Sequence, residues 1–210
     1  MEQAGALALI LGTVAMIGVM ALHPSGHVSG HAGEVARILR LGVVVHAIAI
    51  GAAPLLTFGF FALTHSIGFD KPLASLALVI YAFGAVAVML AATMSGLVAP
   101  KLIELQMANA GGEQPIVHGL AQLEWFMNQS FATLHVALFS VAIALWALAW
   151  PDKGVLGSLI QISGLVVGIG IFAWLVSGTL ELNVHGMGAV VLAQGAWTIL
   201  AGVALARRRA

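Results

Sequence analysis

The stretch Val155–Leu180 reads VLGSLIQISGLVVGIGIFAWLVSGTL, and it decides the fold class. It contains no Asp, Glu, Lys or Arg, and it exceeds the about 20 apolar residues that a helix needs to cross the hydrocarbon core. In lipid every backbone N–H and C=O has to be paired within the segment, so a run of this length is a membrane-spanning helix. Five further runs share this character: Ala4–Leu22, Ile38–Leu63, Pro72–Val98, Ala121–Trp150 and Met187–Ala206. The expectation is an all-α, polytopic membrane bundle of about six helices forming a single transmembrane domain.

Composition points the same way. Of 210 residues, 61% are hydrophobic and 8% charged, whereas a soluble domain carries about a quarter charged residues. The lipid bilayer is therefore the expected surroundings. The formal net charge is zero, so the basic footprint of a nucleic-acid binder is missing. There is no cysteine, which excludes thiolate catalysis and Cys-ligated iron–sulfur or zinc sites. A metal would have to use His, Met, carboxylate or backbone oxygen. No phosphate-cradling glycine loop, nucleophile elbow or His-Glu-x-x-His helix is present. The start lacks the positive segment of a secretory signal, and the first apolar run ends in His23-Pro24 without a cleavage pattern, so it is expected to stay as a helix.

Pro54 inside the second run predicts a kink, Pro100 the end of the third helix, and Pro151 the end of the fourth. The connection from Lys101 to Gly119 has room for a short surface helix before Gly111-Gly112. Gly164 and Gly168 predict close helix packing, and the tryptophans Trp125, Trp146, Trp150 and Trp174 predict interface-belt or packing positions. With both termini in the cytoplasm, Lys71, Lys153, Arg207, Arg208 and Arg209 lie inside, against Arg37, Arg40 and Lys101 outside. The expected location is the cell (inner) membrane.

The histidines are unevenly placed. In that orientation His23, His27, His31, His46, His118, His135 and His185 share the outer side, and only His65 lies opposite. His46 and His135 sit inside apolar runs, each expected about 6–8 Å below the same surface at about 1.5 Å rise per residue. Two imidazoles from separate helices at one level would suit a haem or metal site. Glu124, Asn128 and His135 fall within about 40° of one another on a helix turning about 100° per residue, a polar stripe of the kind that faces a bundle interior. Met94 and Ser95, Thr179 and Glu181, and His185 stand at neighbouring helix ends. His23, His27 and His31 form a histidine-rich loop, and imidazole binds copper, zinc, iron or nickel well.

Six helices with histidines on the second and fourth resemble, in topology alone, membrane cytochromes of the b561 type. That resemblance implies haem b held by His46 and His135, electron transfer, and a partner such as a quinone. No second transmembrane histidine pair is present for a chain of two haems.

Three functions follow as expectations. The first is a redox-related site holding haem b or a copper, iron or zinc ion. Its ligands would be drawn from His46, His135, His185, Glu181, His31 and His27, with Glu124, Asn128 and Met94 behind them or relaying protons. The second is a channel or transporter for protons, metal ions or a small solute, for which Gln161, Gln194 and Thr57 are the few polar groups in the inner halves. The third is a non-catalytic subunit or scaffold bound to other membrane subunits.

Overall fold

The computed structural model describes residues 1–23, 32–108, 114–151 and 154–208. It is an all-helical bundle: α1 (Glu2–Leu22), α2 (Ala32–Ile67), α3 (Pro72–Thr93), a π-helical segment (Met94–Val98), α4 (Ala99–Ala108), α5 (Gln114–Ala149), α6 (Val155–Val176) and α7 (Val184–Arg207). α3, the π segment and α4 run on as one rod, so the described residues form six helices long and apolar enough to span a membrane. The protein is a polytopic helical membrane protein. The start of α1 and the end of α7 lie at the same end of the bundle. Gly5 faces Ala62 and Leu205, and the Arg208 guanidinium donates to Ser66 O (3.0 Å) and Oγ (2.7 Å) while lying 4.8 Å over the Trp150 ring.

Helix lengths differ from the expected spans for a physical reason. α1, α6 and α7 have 21, 22 and 24 residues, whereas α2 and α5 each have 36. At about 1.5 Å per residue the long pair reach about 54 Å, far beyond a hydrocarbon core of about 30 Å. Their polar first turns continue the helix outside the apolar run, which hydropathy alone does not register. The sixth run starts earlier than expected because Asn183 caps it, its Oδ1 accepting from the backbone of His185 (3.1 Å) and Gly186 (3.0 Å). Asn183→Ala removes that cap and is expected to cost about 1 kcal/mol, read as a lower thermal midpoint in detergent.

Pro100 does not end the third helix. The π turn before it carries its bonds one residue further, with Ala99 N–H donating to Met94 O. That wider turn takes up the ring and the missing N–H, which would break a regular α-helix. Pro54 lies inside a continuous α2.

Without a hydrophobic force between helices in lipid, association depends on close packing. The bundle accordingly brings small residues to its contacts. Gly164 abuts Trp197 and Ala147, Gly168 abuts Ser140 and Ala144, and Gly59 and Gly12 receive Leu9 and Leu56. The half nearer the termini is filled by Phe60, Tyr81, Phe139 and Trp146. Phe60 and Trp146 stack at 4.5 Å with an interplanar angle of 8°. Trp146, Trp150 and Trp197 are buried there, while Trp125 and Trp174 are exposed. Among the described residues the opposite half has no such aromatic filling. Its inner positions are Ala49, Ala91, Ala92 and Ala132, and a cavity opens between them.

Candidate functional site

Five helices wall this cavity, of about 310 Å³. α1 contributes Met16, Met20 and His23, α2 His46, the rod of α3 and the π segment Ser95, α5 Asn128, Gln129 and His135, and the start of α7 Asn183 and Met187. Along every wall the order is the same: cavity residues toward the His23 end, core aromatics or small polar groups toward the termini. α3 passes from Tyr81 to Ser95, and α5 from Trp146 to Asn128.

His23 follows the last turn of α1, and its ring meets that of His46 edge to face, centroids 5.2 Å apart. His46 is held by its own helix, Nδ1 donating to Gly42 O at 2.7 Å. Its Cβ packs against Gly96 of the π segment, where no side chain intervenes. His135 Nδ1 donates to Gly84 O of α3 at 3.0 Å, and the residue is 9% exposed. A carbonyl can only accept, so in both rings Nδ1 carries the proton and the neutral ring keeps a lone pair on Nε2. Tying one ring nitrogen to a backbone carbonyl is how proteins orient an imidazole whose other nitrogen serves as ligand or proton acceptor.

The two histidines do not share a level. His46 packs on Gly96 and His135 bonds Gly84, twelve residues away on the same rod, or about 18 Å of helix rise. His46 stands at the mouth and His135 at the floor. The equal depth expected from the sequence took the start of each apolar run as the same membrane surface, but α2 and α5 enter from well outside it. A single iron between these two rings does not fit that stagger.

Below His135 lies a second cavity of about 40 Å³, lined by Thr13, Tyr81, Gln194 and Thr198 among others. It has room on the order of one or two waters. Gln194 Nε2 donates to Ser140 Oγ at 3.0 Å, and Thr198 Oγ1 donates to Gln194 O at 2.8 Å. Beyond it the stacked aromatics close the bundle. Gln161 and Thr57 instead donate to backbone carbonyls, Trp150 O and Ala53 O.

Of the other residues singled out in the sequence, Asn128 lines the main cavity, while Glu124, one turn further out on α5, does not. Met94 is half-buried at the start of the π segment and also lies off the cavity wall. Glu181 is exposed and accepts from Asn183 Nδ2 at 3.1 Å, and His185 is exposed at the start of α7. Neither reaches the cavity, because the Asn183 cap turns the chain between them. His27 and His31 lie outside the described residues. Among the described residues no three His, Asp or Glu side chains come together as an ion-binding group. Gln129, Asn183 and the methionines were missed as wall residues. The spacing Met16, Met20, His23, by four and three residues, puts all three on one helix stripe and was the available signal.

Fold and site together define a class: a six-span helical membrane protein with a histidine-bearing cavity open toward one end and closed by aromatics at the other. Comparison with protein-family models, with curated proteins and with solved structures gives no match.

Proposed function

We propose that this protein holds a transition-metal ion in the cavity at the end of the bundle away from its termini, in a redox-related role. The observation that carries this reading is the meeting of His23 and His46, from separate helices, at the cavity mouth. Centroids 5.2 Å apart suit two imidazoles bound to one tetrahedral ion at about 2.0–2.1 Å per metal–nitrogen bond. The Gly42 carbonyl orients the second ring, as a ligand requires. His135 stands at the floor as a proton acceptor, with Asn128 and Gln129 as neutral hydrogen-bonding groups between. An ion is preferred to haem b because of the stagger of His46 and His135. We place the termini in the cytoplasm of the cell membrane, which puts the cavity mouth on the outer side, with Lys71 and Arg207 to Arg209 on the inner.

The test is an absorption spectrum and metal analysis of the detergent-purified protein. The expected result is about one transition-metal ion per chain, no Soret band, and loss of the metal in His46→Ala. A Soret band abolished by both His46→Ala and His135→Ala would restore the haem reading. Protein with neither metal nor chromophore would sink both.

A transport reading has one observation in its favour: the polar lining continues past His135 to Thr13, Gln194 and Thr198. The Phe60–Trp146 stack stands across any continuation to the other face. Ion flux into vesicles loaded with a metal-sensitive dye distinguishes it.

A further inference from the structure

The cavity wall carries thioethers beside its histidines. Met16, Met20 and His23 share one stripe of α1, and all three line the cavity with His46. Met187 lines it from α7. Among the described residues no carboxylate lines this cavity, and there is no cysteine in the chain. The polar remainder is amide and hydroxyl: Asn128, Gln129, Asn183 and Ser95.

This donor set discriminates between metals. Hard divalent ions want carboxylate and carbonyl oxygen, and structural zinc sites are built from thiolate and imidazole. Thioether and imidazole donors without an anionic ligand suit a soft monovalent ion, copper(I). Charge points the same way. A divalent ion among neutral ligands in an apolar wall would keep its whole double charge uncompensated, and desolvation cost rises steeply with charge. A monovalent ion halves that charge. The apolar remainder of the wall (Val19, Ala49 and Ala92) also limits water access, which favours thioether over water as a ligand.

From this we infer that the cavity is a copper(I) site. Met16 and Met20 supply thioether ligands, His23 and His46 supply imidazole, and zinc and nickel are selected against. The inference rests on the metal-site reading above. It names the bound ion and adds no redox step to that reading.

The experiment is an anaerobic titration of metal-free protein in detergent with copper(I), buffered by a chromogenic copper(I) chelator, and in parallel with zinc(II). The intact protein is expected to take up about one copper(I) per chain and to hold zinc(II) far more weakly. Met16→Leu/Met20→Leu keeps side-chain volume and the apolar wall. Since losing even an outer-shell partner costs about 10–100-fold in metal affinity, this variant is expected to lose at least about tenfold for copper(I), with unchanged zinc(II) binding. His46→Ala is expected to lose both. If the double leucine variant elutes as the intact protein does and binds copper(I) equally well, the thioethers are not ligands and the copper assignment falls, while a loss in His46→Ala keeps the histidine site. If zinc(II) binds the intact protein as tightly as copper(I), the assignment falls as well. If the intact protein binds neither ion, the metal-site reading itself fails.

Discussion

Trp146→Ala is expected to destabilise the bundle by about 2–3 kcal/mol, less than the about 3–5 kcal/mol that the same truncation costs in a water-soluble core. The smaller figure follows from the solvent. In lipid the unfolded reference is already apolar, so the transfer term largely drops out and the packing term remains. That packing term is large here. Trp146 is fully buried, stacks on Phe60 at 4.5 Å, and lies 5.8 Å from Tyr81 and 6.4 Å from Trp197. Its Nε1–H donates to Thr64 Oγ1 at 3.0 Å, and Thr64 is itself fully buried. Alanine leaves both a void and a hydroxyl without that partner. Reversible unfolding in mixed detergent–SDS micelles measures the difference. A loss below about 1 kcal/mol would mean that neighbouring side chains collapse into the space, contrary to a tightly filled plug.

If the cavity holds the proposed ion, Gly96→Ala is expected to release it. A β-carbon at residue 96 would overlap the Cβ of His46, an atom fixed to its own backbone and unable to swing aside. The only relief is separation of α2 from the π segment, an overpacking cost of about 1–3 kcal/mol, and that separation moves the His46 ring away from His23. Metal content should fall from about one per chain to near zero. Gly42→Ala is the control. It sits on the same helix one turn away, its carbonyl still accepts from His46, and an added β-carbon meets nothing within 4 Å. It is expected to retain the metal and to gain up to about 1 kcal/mol from the better helix former. Equal metal content in Gly96→Ala and the unaltered protein would remove the close α2–π contact from any role in the site.

The spans were legible because hydropathy is a local property. Once Val155–Leu180 reads as a helix in lipid, the remaining runs follow by the same rule. Their outer ends were not legible. Residues such as Glu34, Arg37 and His118 interrupt the apolar run without interrupting the helix, because backbone hydrogen bonds continue it in water. That error moved the supposed membrane surface on α2 and α5, and with it the depths of His46 and His135. The π segment was equally hidden: Pro100 reads as a stop until the wider turn preceding it is seen.

The candidate site divides along the same line. Sequence alone determined that the chain is a bundle in lipid, that its histidines crowd toward one end, and that Asn128 and His135 share a helix face. Each of these depends on spacing within one segment. Tertiary structure decided which groups face each other: His23 against His46, His135 on Gly84, and Met16 and Met20 on the cavity wall, with Glu181, His185, Glu124 and Met94 outside it. The reason is that a helix fixes only the angle of each side chain about its own axis. The rotation and vertical offset of one helix against the next are set by where glycine and alanine let backbones touch, at Gly96 for α2 and at Gly84 for α5, and that is a property of pairs of segments which neither segment carries by itself.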